Sequence, residues 1–168
     1  ILYFINNVSD AELLPRFRRR LMIESVCFVV FFVPFVIYVL LKDGFAVDAA
    51  SGSIVMESYK YLHNLMAMPW VLGLLLLGVV AVLFGLGRSI LCSTYNKGIW
   101  FAGVGTVLAV LALLLTVGYN NTAYYPSAAD LQSSLTLSNS CSSLFTLKTM
   151  AYVSVFIPFV LAYIIYAW

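Results

Sequence analysis

The sequence predicts an all-α fold: an integral membrane bundle of four transmembrane helices with a short interfacial helix, as a fragment of a larger helical subunit. Three observations carry this. Of 168 residues, 63% are hydrophobic and only 10% are Asp, Glu, Lys or Arg, where a soluble globular chain is nearer about 25% charged. Four stretches approach or exceed the roughly 20 apolar residues that cross a bilayer core as a helix. The basic residues are distributed unevenly between the connecting segments. This composition excludes a disordered chain, a secreted disulfide module and a nucleic-acid binder. Three cysteines without a CxxC pair make no disulfide framework, and one histidine, His63, is too few for a haem or zinc site built by this chain alone.

The chain opens Ile1-Leu2-Tyr3-Phe4-Ile5 and then turns polar from Asn6 to Arg20. No basic region precedes the apolar run and no small-residue cleavage site follows it, so it does not read as a signal peptide. Residues 1–5 read as the end of a preceding span. The first full span is 21–41, uncharged except for Glu24 and with Pro34 in its interior. The second, 66–87, and the third, 99–119, carry no charge, and the fourth, 150–168, has Pro158 near its middle. Helices are required because lipid cannot satisfy backbone polar groups, and barrel strands would alternate in polarity. The four spans are expected to form a single transmembrane domain over 1–168.

Between spans one and two, Ile54, Val55, Tyr59, Leu62 and Met66 fall on one helical face, which predicts a short interfacial helix. The segment from Asn120 to Thr149 is Ser-rich and nearly uncharged. With neither charge nor linker composition, it is expected to dock on protein rather than stand free. Lys and Arg set the orientation. Arg16, Arg18, Arg19, Arg20, Arg88 and Lys97 lie on one side of the four-span topology, and Lys42, Lys60 and Lys148 on the other. Six against three places both termini in the cytoplasm.

Few residues could carry chemistry. Glu24 is the sole acid within a span, and an intramembrane acid is a proton-path candidate. It also lies four residues after Arg20, a spacing that allows a helical ion pair at the interface, and this structural reading is the weightier one. His63, beside Tyr59, Tyr61 and Asn64, reads as an interfacial polar residue. Cys27, Cys92 and Cys141 fall at three different membrane levels, out of disulfide reach of one another. Gly73, Gly78 and Gly85 in span two, and Gly103, Gly105 and Ala109 in span three, would let helices approach closely. No catalytic, cofactor-binding or metal-binding residue is assigned. Asn120-Asn121-Thr122 has the form of a glycosylation sequon, discounted because it abuts the membrane.

The outer segment and the approach to the last span read Tyr125-Pro126-Ser127, Ser134-Leu135-Thr136, Asn139-Ser140-Cys141-Ser142-Ser143 and Leu144-Phe145-Thr146-Leu147. This resembles the C-terminal half of subunit II of cytochrome bd-type quinol oxidases, with Cys141 where that family commonly has Ala. Asp10-Ala11-Glu12-Leu13 followed by Arg16, Arg18 and Arg19 is similar to the link between the family's two halves. The resemblance implies a non-haem-ligating subunit of a respiratory quinol:oxygen oxidoreductase in a bacterial inner membrane. It would pack against and stabilise a haem-bearing subunit I that holds haems b and d and receives quinol. Besides membrane lipid around it, a structural quinone or lipid could bind to such a chain. The competing reading is half of a secondary transporter, since Pro- and Gly-interrupted spans can mark a substrate site. Against it, spans two and three lack ionisable residues.

Overall fold

The computed structural model describes residues 1–8, 10–48 and 51–167. Contacts divide the chain into two compact units, Ile1–Thr136 and Leu137–Trp168. The first contains α1 (Leu2–Asn7), α2 (Leu13–Leu41), β1 (Gly44–Val47), β2 (Ile54–Glu57), α3 (Lys60–Ala67), α4 (Pro69–Leu91), α5 (Gly98–Gly118), β3 (Ala123–Tyr125), a single 3-10 turn (Leu131–Ser133) and β4 (Leu135–Thr136). The second contains α6 (Leu137–Ser140) and α7 (Leu144–Ala167). Four helices, α2, α4, α5 and α7, are long and apolar enough to cross a membrane. The protein is therefore an all-α membrane bundle with small β-hairpins in its connections.

Helix α2 runs for 29 residues. At about 1.5 Å per residue it is longer than a bilayer core of about 30 Å. Its first two turns hold the arginines, so the helix starts at Leu13 rather than at the first lipid-compatible residue, Leu21. Pro34 lies inside it; lacking an N–H, it leaves the carbonyl of Val30 without its usual intrahelical donor. The break between α3 and α4 falls at Met68, whose φ of −119° and ψ of 75° are non-helical. Met68 precedes Pro69, and the proline ring excludes the helical conformation there. Helix α7 begins six residues before the expected span because Ser143 caps it: Ser143 Oγ accepts from the Thr146 backbone N–H at 3.3 Å.

Helices α4 and α5 pack backbone to backbone. On α5, Gly98, Ala102, Gly105, Ala109, Ala112 and Thr116 are all buried, a repeat of four then three that keeps one narrow face against α4. A Cβ added to Gly78 would lie 2.6 Å from Ala109 N and 2.8 Å from Gly105 O, and one on Gly85 would lie 2.7 Å from Gly98 O. Gly73 and Gly103, expected in the same seam, have nothing within 4 Å of such an atom; the helical repeat turns them off the contact face. Toward the end of the unit away from the arginines, Leu65, Met68, Val71, Leu75, Ala109 and Ala112 form the apolar core where α3, α4 and α5 meet. At the other end, Ile5 of α1 is fully buried and Phe4 stacks on Phe17 with ring centroids 5.4 Å apart.

The interfacial helix is shorter than the sequence predicts. Ile54–Glu57 is a strand, antiparallel to Gly44–Val47 with Gly44 opposite Glu57 and Val47 opposite Ile54. Tyr59, at φ 55°, turns the chain into α3. The β-branched pair Ile54-Val55 favours strand, and a partner segment lies within reach across a turn. Gly52, at φ 67°, donates to the Asp48 carbonyl at 2.8 Å, and the Asp48 N–H donates to Ser53 O at 2.9 Å.

Candidate functional site

Among the described residues no group of three or more His, Cys, Asp or Glu side chains converges as metal ligands would. The side chains that could matter lie at the two ends of the first unit.

At the arginine-bearing end, the four arginines of α2 separate into one that is engaged and three with no ion pair among the described residues. The guanidinium of Arg18 donates to the carbonyls of Ser89, Cys92 (2.6 Å), Ser93 (2.7 Å) and Tyr95 (3.4 Å), and to Asn96 Oδ1 at 3.1 Å. The last carbonyls of a helix have no intrahelical donor and carry partial negative charge, so a cation with a planar fork of donors suits the α4 C-terminus. Arg18 thereby ties α2 to the loop between α4 and α5. Arg88, in the last turn of α4, stacks over the Tyr95 ring at 5.4 Å. Arg16, Arg19 and Arg20 are exposed. The ion pairs among the described residues are Glu57 with Lys60 and with His63, so none of these three arginines is neutralised by a carboxylate there.

Glu24 lies one turn beyond Arg20 on α2 and is exposed. The expected Arg20–Glu24 ion pair is not formed among the described residues. By the helical repeat, Glu24 sits on the side of α2 opposite Met22, Ser25, Val26 and Val29, the residues that line a groove against α4. The candidate acid therefore faces away from α4. Among the described residues no ion pair engages its carboxylate.

Apolar cavities lie between the spans of this unit. One, of about 340 Å³, lies between α2, α4 and α5 and includes Phe28, Phe32, Val79, Leu83, Thr106 and Leu113 in its walls. The single hydroxyl there, Thr106 Oγ1, donates to Ala102 O at 2.7 Å and offers nothing to a polar guest. The second, of about 320 Å³, is the α2–α4 groove.

The end of the unit away from the arginines is held by polar contacts. Asn64 of α3 is fully buried. Its Nδ2 donates to Thr116 O at 3.0 Å and to Thr122 Oγ1 at 2.7 Å, and its Oδ1 accepts from Asn120 Nδ2 at 3.1 Å. Asn120 and Asn121 have φ of 59° and 52°, a left-handed pair that turns the chain back over α3. The Val47 N–H then donates to Asn121 O at 2.8 Å. Beyond this turn, Ala123 of β3 pairs with Thr136 of β4. Gln132 uses its amide as a short strand substitute: Oε1 accepts from the Ile54 N–H at 2.8 Å and Nε2 donates to Ile54 O at 3.1 Å. The part of the Ser-rich segment within this unit is thus docked on the β1–β2 hairpin.

Glu57 closes the cluster between β2 and α3. It meets Lys60 Nζ and His63 Nδ1, each at 3.0 Å. The hydrogen bond from His63, then that from Lys60, hold its carboxyl below the usual carboxylate range. Burial raises the nearby Tyr61 phenol above its usual value. His63, the sequence's single histidine, thus spends Nδ1 on a surface carboxylate outside the spans. Cys27, Cys92 and Cys141 are free thiols.

Arg18, Asn64 and Gln132 were not separable by sequence reasoning. Four neighbouring arginines look alike until one finds carbonyls more than seventy positions away. Asn120-Asn121-Thr122 showed in the sequence only as a sequon, and the part of Asn120 in fixing α3 depends on a contact across 56 residues.

The sequence model of the family described as cytochrome bd terminal oxidase subunit II matches residues 1–168. No curated protein sequence matches the chain.

Proposed function

This chain belongs to the cytochrome bd terminal oxidase subunit II family, and we propose that it is the non-haem-ligating subunit that packs against and stabilises a haem-bearing partner. The family belongs to the cytochrome bd quinol oxidase complex, an oxidoreductase of the respiratory chain, so the chain is a multi-pass membrane subunit of such an oxidase. The finer reading rests on the donor set. Haem iron needs axial groups such as His, Met, Cys or Tyr held at the metal. The lone histidine lies outside the spans on Glu57. The commitment of the single histidine to Glu57 supports the reading that haems b and d belong to the partner, subunit I, which also receives quinol.

Orientation follows from the basic residues. The end bearing Arg16 to Arg20, Arg88 and Lys97 faces the cytoplasm of a bacterial inner membrane, with both termini on that side. The exposed face of α2 around Phe28, Phe31 and Phe35 is then available to a partner at membrane depth. Glu24 is a proton-path candidate only on that outward face.

The test is quinol-driven oxygen uptake by membranes from cells lacking this chain and from cells in which it is restored. The proposal expects uptake and bd-type absorption to fall together and to return together. Full haem absorption and uptake without the chain would refute it.

A further inference from the structure

We infer that the arginine-bearing end of the α2–α4 groove is a binding site for an anionic phospholipid, with the phosphate at Arg19 and an acyl chain lying in the groove. The groove of about 320 Å³ is lined by Met22, Val26 and Val29 of α2 and Leu86, Gly87 and Ile90 of α4. Its only polar wall group, Ser25, already donates its hydroxyl to Leu21 O at 2.6 Å. Such walls accept a hydrocarbon chain and give no hydrogen bond to a polar guest.

Charge at one end selects the headgroup. Arg18 and Arg19 stand one helical turn before Met22, flanking the groove face of α2 by the helical repeat. Arg18 is committed to the end of α4 through the Ser89, Cys92 and Ser93 carbonyls. Arg19 is exposed and unpaired with any carboxylate among the described residues. A cation one helical turn from Met22, on the flank of an apolar groove, matches a phosphodiester at the end of its acyl chain. A zwitterionic lipid offers the same chain but cancels the charge with its own ammonium. Gly87 fits this role: a Cβ there would meet nothing within 4 Å, so the missing side chain leaves space in the groove rather than admitting a neighbouring helix. The deeper cavity between α2, α4 and α5 has equally apolar walls, but the residue one helical turn before Phe28, its first α2 wall residue, is the acid Glu24 rather than a cation.

Native mass spectrometry of the complex extracted with this chain, delipidated and then titrated with dioleoyl phosphatidylglycerol or dioleoyl phosphatidylcholine, tests the assignment. Phosphatidylglycerol should be retained in preference. One basic residue near the surface is worth about five-fold in anionic-lipid affinity, so Arg19→Gln should lower retention by about that factor. Arg20→Gln, on the opposite side of α2, should leave it unchanged. Gly87→Leu, which fills the groove, should lower retention of both lipids further than Arg19→Gln does. Equal retention of the two lipids by the unaltered protein, or equal losses from Arg19→Gln and Arg20→Gln, would overturn the site. So would undiminished retention in Gly87→Leu with assembly intact. If Gly87→Leu does not assemble, the Arg19 and Arg20 comparison decides alone.

Discussion

Individual polar residues in this protein act through where their partners lie, not through their type. Asn64 shows this best. Its amide joins α3, the end of α5 and the turn at Asn120, and its removal leaves Thr122 and Asn120 without that partner. An unsatisfied buried polar group costs about 1–3 kcal/mol. Asn64→Leu should therefore lower the midpoint of thermal unfolding of the purified complex, and Asn64→Gln should not restore it, because the longer side chain misplaces the amide. An unchanged midpoint would show that the network is not holding that end of the unit. Glu24 gives the opposite expectation. With no ion pair to Arg20 among the described residues, it has little to lose locally. An i,i+4 charge pair is worth only about 0.2–0.5 kcal/mol even when formed. Glu24→Gln should retain haem content and most of the quinol-driven oxygen uptake. Near-complete loss with normal haem would identify Glu24 as an essential proton-path residue on the outward face of α2.

At the scale of elements, the apolar runs were legible because lipid demands uninterrupted hydrophobic helices, a signal that needs no tertiary information. Helix ends were less so. The first turns of α2 are polar and lie beyond the bilayer core, so hydropathy alone starts the span at Leu21 while the helix starts at Leu13. The β1–β2 hairpin was missed because Ile54, Val55 and Tyr59 suit a helical face as well as a strand in so short a window. The strand was decided by pairing with Gly44–Val47, which carries no pattern of its own. The glycines divide in the same way: their presence was visible, but only helical phase separates Gly78 from Gly73. Gly78→Leu should destabilise the bundle by about 1–3 kcal/mol or more through forced separation of α4 and α5. Gly73→Leu should be nearly neutral. Differential scanning of the two variants in the same detergent measures the contrast, and equal effects would contradict the assigned seam.

For the whole molecule, four spans and a biased charge distribution give a topology that cysteines can read. Cys92 follows α4 at the arginine-bearing end, and Cys141 lies before α7. In intact cells with the outer membrane opened, an impermeant thiol reagent should label Cys141 and spare Cys92. The reverse pattern would invert the proposed orientation. Function was legible only through the stretch from Ser134 to Leu147 and the acidic-then-Arg link, since four apolar helices alone serve oxidases and transporters alike.

The central claim is that this chain supports the oxidase without ligating its haem. The most direct measurement is the reduced-minus-oxidised visible spectrum of the complex purified through a tag on this chain, repeated on each subunit after mild separation. The account predicts bd-type absorption in the intact complex, all of it leaving with the partner. Haem that stays with this chain, in proportion to its protein, would contradict the claim.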